Sequence, residues 1–223
     1  MTVGEDGANR AAWSRLKSLG EWVATVLILP LEAAYRVGLI TYGSAGQVLA
    51  LVPGYVGVLL RRAWYGRTLA ACGRNLVVDF MTVILRPDTR VGNNCYINAF
   101  CWIGWADIGD DFLGGEGISI LSGNKQHGFA TRELPMRLQE GEKRQVVIGK
   151  DVWCGSKVIV SADVAEGSIL ASGAVVTKSF EPYTILAGVP ARPLRERPGT
   201  KAQTVVEAEP DGQFLPPPGP PQP

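Results

Sequence analysis

Apolar residues recur every six positions along the middle of this chain. Leu85, Val91, Ile97 and Ile103 are six apart, Gly92, Asn98 and Gly104 follow three of them, and the small residues Thr89, Cys95 and Cys101 keep the same step. The phase restarts at Ile148 and Cys154, continues at Val160, and resumes as Val164, Leu170 and Val176 after a two-residue slip. Neither the helical period of about 3.6 nor the strand period of 2 produces that spacing. It predicts a parallel β-helix in which each hexad supplies one short strand and one bend, with aliphatic side chains pointing into a triangular prism. Three hexads make a coil, and coils stack at about 4.8 Å, so equivalent side chains form ladders.

From about residue 123 to 145 the repeat is interrupted by a polar segment carrying Arg132, Glu133, Arg137, Glu140, Glu142, Lys143 and Arg144. A long excursion from a repeating scaffold marks a functional face, because the coils fix its ends while its length lets it cover a groove. The same charges also read as an ordinary solvated surface. The only histidine of the chain, His127, lies in this excursion, within Ser122-Gly123-Asn124-Lys125-Gln126-His127-Gly128-Phe129. Imidazole titrates near neutrality and is the natural candidate for a general base. Glu133 or Glu142 could orient it, and no spacing argument selects between them. The competing reading is a loop histidine that only hydrogen-bonds backbone.

The N-terminal third follows a different pattern. Residues Trp22 to Leu31 are apolar, and no charge appears between Arg36 and Arg61. Gly38, Gly43, Gly46, Pro53 and Gly54 dilute that stretch and predict a helix break near Pro53. Arg61, Arg62 and Arg67, interleaved with Trp64 and Tyr65, read as an interfacial anchor, with cations toward anionic lipid and aromatics at headgroup depth. The expectation is helices lying on a membrane; a buried helical cap on the β-helix and a membrane span are the alternatives. From Pro198 the chain carries eight of its fifteen prolines, a composition that cannot build a core and predicts disorder or polyproline II.

Composition removes several classes of function. A net charge of +1, with no basic cluster among stacked aromatics, gives no support to nucleic-acid binding. The cysteines Cys72, Cys95, Cys101 and Cys154 show no C-x-x-C spacing, so neither a zinc nor a redox motif is present. Free thiols fit a reducing cytoplasm. One histidine cannot supply a three-histidine zinc site, and no metal is expected.

Three motifs, in order, carry a family resemblance: Ile148-Gly149-Lys150-Asp151-Val152-Trp153-Cys154-Gly155, Gly173-Ala174-Val175-Val176-Thr177-Lys178 and Ala187-Gly188-Val189-Pro190-Ala191-Arg192. They resemble the signatures of hexapeptide-repeat acyltransferases. Val52-Pro53-Gly54-Tyr55 and Gln126-His127-Gly128-Phe129 further resemble the sugar O-acetyltransferases of exopolysaccharide and lipopolysaccharide synthesis. The resemblance implies a left-handed β-helix, a homotrimer, acetyl-CoA bound between adjacent subunits, and a histidine base acting on a sugar hydroxyl. Relatives often carry a histidine two residues before His127, where this chain has Lys125. That departure leaves open whether His127 is the base. By the same resemblance Lys178 and Arg192 would meet the coenzyme A phosphates, a pairing cations favour. Gly155, Ser172 and Gly173 fall at turns where small residues let a pantetheine arm approach the backbone. Arg195 and Arg197 read equally as phosphate partners or as surface charge.

Together these readings divide the chain into an apolar helical region (1–69) at a membrane surface, a β-helix acyltransferase domain (70–197) and a Pro-rich tail (198–223). The expected activity is acetylation of a polysaccharide precursor at the inner face of the cell membrane, in the cytoplasm. The alternatives are acetylation of serine or another small hydroxyl compound, and a non-catalytic β-helix scaffold.

Overall fold

The computed structural model describes residues 3–199, with side chains from residue 16 onward. The expected Pro-rich tail lies, beyond residue 199, outside the described residues. Three helices, α1 (Val3–Arg36), α2 (Tyr42–Ala50) and α3 (Gly54–Thr68), precede the strands. The first coil of a parallel β-helix then holds β1 (Ala71–Cys72), β2 (Val77–Val78) and β3 (Val83–Ile84), and the second holds β4 (Arg90–Val91), β5 (Tyr96–Ile97) and β6 (Trp102–Ile103). The third has β7 (Ala106–Ile108), β8 (Leu113–Gly114) and β9 (Ser119–Ile120), and the fourth β10 (Val146–Ile148), β11 (Trp153–Cys154) and β12 (Ile159–Val160). A fifth contains β13 (Ile169–Leu170) and β14 (Val175–Val176), and β15 (Thr184–Ala187) with the antiparallel β16 (Arg192–Glu196) closes the end.

The strands stack into three sheets, one per wall of the prism: β1-β4-β7-β10 in the first, β2 to β15 in the second, and β3-β6-β9-β12-β14 in the third. Parallel pairing in register puts Ile84, Ile103, Ile120, Val160 and Val176 in one inward ladder, all with no exposed surface. The expected β-helix is therefore present, with one change of phase. Ile84, rather than Leu85, is the inward residue of the first coil, and the step to Val91 is seven residues.

Every departure from six falls at the same corner, where the third sheet hands the chain to the first. The steps there are seven from Ile84 to Val91, five from Ile103 to Ile108, twenty-eight from Ile120 to Ile148, and four from Val160 to Val164. The other two corners are held to constant length by tight turns with a left-handed residue. These are Asn75, Asn94, Asp111 and Asp151 at one corner, and Met81, Phe100 and Lys157 at the other. Asparagine and aspartate tolerate that conformation, and here they also bond along the stack, Asn75 Nδ2 to Asn94 Oδ1 and Asn94 Nδ2 to Asp111 Oδ1, each at 3.0 Å. No repeated turn of that kind constrains the third corner, so an insertion there leaves the ladders intact.

The N-terminal helices cap the first coil. Arg61 is fully buried and donates to three backbone carbonyls, Val78 (2.9 Å), Leu49 (2.8 Å) and Val52 (2.8 Å), tying α2, α3 and β2 together. Trp64 and Tyr65 are equally buried, and the Tyr65 hydroxyl accepts the amide hydrogen of Ile84 at 3.0 Å. This corrects the expected anchor: Arg61, Trp64 and Tyr65 face the β-helix and cannot reach a membrane. The predicted break at Pro53 does separate α2 from α3. No described helix is long and apolar enough to cross a membrane.

Candidate functional site

The excursion leaves the end of β9 in the third sheet and returns to β10 in the first. It runs out and back as two close antiparallel arms. The amide of Glu142 donates to the carbonyl of Lys125 at 2.7 Å, and that of Arg144 to Ser122 at 3.1 Å. Two glycines permit the approach. A Cβ on Gly128 would lie 2.3 Å from the Glu140 carbonyl oxygen, and one on Gly141 would lie 2.2 Å from that of Gln126. At the tip, a short 3-10 turn (Met136–Leu138) is pinned by Gln139, whose Nε2 donates to the carbonyls of Thr131 and Leu134, both at 2.8 Å.

His127 sits on the outgoing arm, exposed. Among the described residues no hydrogen bond or ion pair joins it to Glu133 or Glu142; Glu142 lies on the opposite arm, paired through its backbone with Lys125. Lys125 is exposed as well.

Two tethers hold the base of the excursion. On the return arm, Arg144 Nη1 meets Asp163 Oδ1 at 2.7 Å, and the same oxygen accepts the Val147 amide at 2.9 Å. On the outgoing arm, Asn124 Nδ2 donates to the Thr177 carbonyl at 3.4 Å. Asp163 belongs to the shortened four-residue corner between Val160 and Val164, so the slip in the repeat is the place where the loop is clasped. Sequence reasoning missed Asp163; the slip itself was the available signal.

The residues expected to hold the acyl donor fall into two groups. Ser172 and Gly173 lie just before β14 in the third sheet, and Gly155 stacks under Ser172 from the coil before. Lys178 lies just after β14, beside Thr177 and thus beside the loop tether, with its Nζ 5.4 Å from the centre of the Phe180 ring. The strands of the third sheet separate these two groups, and Trp102 and Ile159 point outward from that sheet. Arg192 stands apart on β16, its Nη1 turned back to the Ala191 carbonyl at 2.9 Å.

Gly155 has its own structural reason to be small: a Cβ there would lie 2.6 Å from the Ser172 amide nitrogen. Gly173, with φ of +73° and nothing within 4 Å of an ideal Cβ, presents open backbone to solvent. A slender pantetheine arm fits the second description better than the first. The cysteines are spectators: Cys95, Cys101 and Cys154 are buried in the prism, and burial raises all three thiols, that of Cys95 to about 11.

The chain resembles known acetyltransferases over more than half of its length. Over 152 residues the chain is 45% identical to a chloramphenicol acetyltransferase of Agrobacterium fabrum, a match covering 60% of this chain. It spans 62% of that relative's length, about three fifths. Among solved structures it resembles a hexapeptide-repeat acetyltransferase of Vibrio cholerae determined with acetyl-CoA, at 25% identity and a TM-score of 0.51 over 62% of this chain and 76% of the other. A galactoside acetyltransferase in complex with coenzyme A shares the fold, with a TM-score of 0.60 at 23% identity over 76% of this chain and 92% of that one. No protein-family model matches the chain. The likeness is thus to acetyltransferases, among them a hexapeptide-repeat acetyltransferase.

Proposed function

We propose that this protein is an acetyl-CoA-dependent O-acetyltransferase whose acceptor is a small hydroxylated molecule. The observation that carries the reading is the position of the single histidine, on a clasped excursion at the third-sheet corner of a β-helix, in a chain 45% identical over 152 residues to an acetyltransferase. The acceptor oxygen attacks the thioester carbonyl while the His127 imidazole takes its proton. The C–S bond then breaks, and the coenzyme A thiolate leaves and is protonated. Base catalysis of this kind contributes about 100 to 10,000-fold. Gly173 and Ser172 on one side of the third sheet and Lys178 on the other would receive the donor. Arg192, folded back on its own backbone, is the weaker member of that set.

A polysaccharide precursor is the less supported acceptor. Curated relatives include proteins named for chloramphenicol, a macrolide and a galactoside, all small molecules. The direct test is thiol release from acetyl-CoA in the presence of each of these three compounds. Turnover with any of them, lost in His127→Ala with an unchanged melting curve, is the expected result. A His127→Ala protein that keeps full turnover would transfer the base role elsewhere. Failure to bind coenzyme A at all would overturn the reading in favour of a scaffold.

A further inference from the structure

Both described carboxylates of helix α1 are turned inward rather than to water. Glu21 and Glu32 both turn toward α3 and are paired there: Glu21 with Arg62 at 2.9 Å, and the buried Glu32 with Arg67 and Arg36. Ala24 and Ile28 fill the same inward face. The opposite face is apolar and open. Leu19 is 56% exposed, Trp22 64%, Val26 44% and Leu29 43%, and Leu16, Val23 and Leu27 widen the strip. At 100° per residue these seven positions cover about 160° of the helix circumference. Val37 and Leu39, just beyond the helix, are more exposed still.

A surface this apolar on a folded domain has a partner. We propose that the outer face of α1 seats on an anionic bilayer surface. The charge balance of the cap selects that occupant. Of the five basic side chains in residues 16–69, Arg61 is buried against backbone carbonyls, which leaves Lys17, Arg36, Arg62 and Arg67 against only Glu21 and Glu32. Among the described residues of the cap both carboxylates are engaged by arginines, while Arg36 remains largely exposed at the end of the strip. Anionic headgroups complement such a cap, whereas a second copy would bring two cationic caps together. The breadth of the strip also exceeds the two-position seam of a paired helix. Since no described helix can cross a bilayer, the contact is interfacial, with the apolar side chains entering to the depth of the headgroup boundary. This places lipid on the helix opposite the one suggested by the arginine-aromatic cluster of the sequence.

Flotation of the full chain with phosphatidylcholine vesicles, with and without phosphatidylglycerol, tests the assignment. The expected result is binding only when phosphatidylglycerol is present, weakened by salt, and reduced about tenfold or more by the double variant Leu19→Glu, Val26→Glu. Both positions are exposed, so the variant should keep its melting temperature and its coenzyme A binding. Equal flotation with neutral vesicles, no flotation of the wild type, or a variant that floats like wild type would each overturn the proposal. A fall in molecular mass of the variant by light scattering without lipid would overturn it too, by assigning the strip to a second copy.

Discussion

Gly141 lies directly over His127: an ideal Cβ on Gly141 would stand 2.5 Å from the His127 Cα. Real Cβ atoms do not approach backbone so closely, so the two arms of the excursion can keep this separation only with glycine at position 141. Gly141→Ala must therefore push the arms apart and shift the imidazole without touching the β-helix. A displacement of the order of 1 Å at a reacting group costs about a hundredfold in rate. The expected outcome is a kcat lower by about that factor with a melting temperature within a few degrees of wild type. An alanine variant with wild-type kcat would show that His127 does not act from this position.

The Arg144–Asp163 clasp gives a second, separable effect. Both side chains are about 40% exposed, so their ion pair contributes only a few tenths to about 1 kcal/mol in stability. Its larger consequence is positional, because Asp163 also holds the Val147 amide where the loop rejoins the coil. Asp163→Ala should lower kcat/KM about tenfold while the unfolding midpoint in urea moves little. The conservative Asp163→Asn, which still accepts the amide hydrogen, should recover part of the activity; equal loss in both would assign the effect to charge alone.

Inside the prism, size is exchanged between neighbours. Gly114 occupies an inward ladder position filled by Ile97 in the coil before and Cys154 in the coil after, and Phe112 fills the space it leaves. A Cβ on Gly114 would meet Phe112 Cε1 and Ile118 Cδ1, each at 2.9 Å. Gly114→Val alone should destabilise by about 1–3 kcal/mol through overpacking. Adding Phe112→Val restores the space and should recover much of the loss. A double variant no better than the single one would show that the two residues do not share a cavity.

How far the sequence revealed this architecture differs by region. The inward positions were legible at Val91, Ile97 and Ile103, one on each wall, because successive steps of six leave no ambiguity of phase. The pattern failed at Leu85, since the seven-residue step to Val91 is invisible unless one knows that corner lengths vary at only one of three corners. The excursion and its histidine were legible as a break in a repeat. Asp163 was not, since an aspartate in a shortened bend looks like any turn residue until its partner from nineteen positions earlier is placed beside it. The segment Arg61 to Arg67 misled for a physical reason: cations beside aromatics look alike whether the guanidinium meets a phosphate or, as for Arg61, a group of backbone carbonyls.

Glu32 should make the stability of the cap pH-dependent. The hydrogen bond from Arg67 holds its carboxyl below the ordinary value of 4.5, helped by Arg36 and opposed by burial. A depressed folded value means that the carboxylate contributes fully above the unfolded value and loses its contribution as pH falls through the lower folded one. The difference in unfolding free energy between wild type and Glu32→Gln should therefore be complete at pH 7, at about 1–3 kcal/mol, and should close below about pH 4.5. A difference that stays constant into acid would mean the pair is lost for reasons other than charge.

Replacing Lys178, the proposed donor-binding cation, tests donor binding separately from chemistry. The lysine follows β14, next in the chain to Thr177, whose carbonyl Asn124 tethers at the base of the loop that carries His127. Its ammonium lies over the Phe180 face, a weak partner that leaves the charge available to a phosphate. A phosphate contact is made equally in the ground state and the transition state, so removing it should raise KM for acetyl-CoA and leave kcat unchanged. For Lys178→Ala the expected rise is about five- to tenfold at low salt, shrinking as salt screens the interaction. Lys178→Arg, which keeps the charge, should stay close to wild type. Arg192→Ala, whose guanidinium is occupied by the Ala191 carbonyl, should change KM less. If Lys178→Ala instead lowers kcat with KM intact, the lysine belongs to the reacting centre and the donor phosphates lie elsewhere on the third sheet.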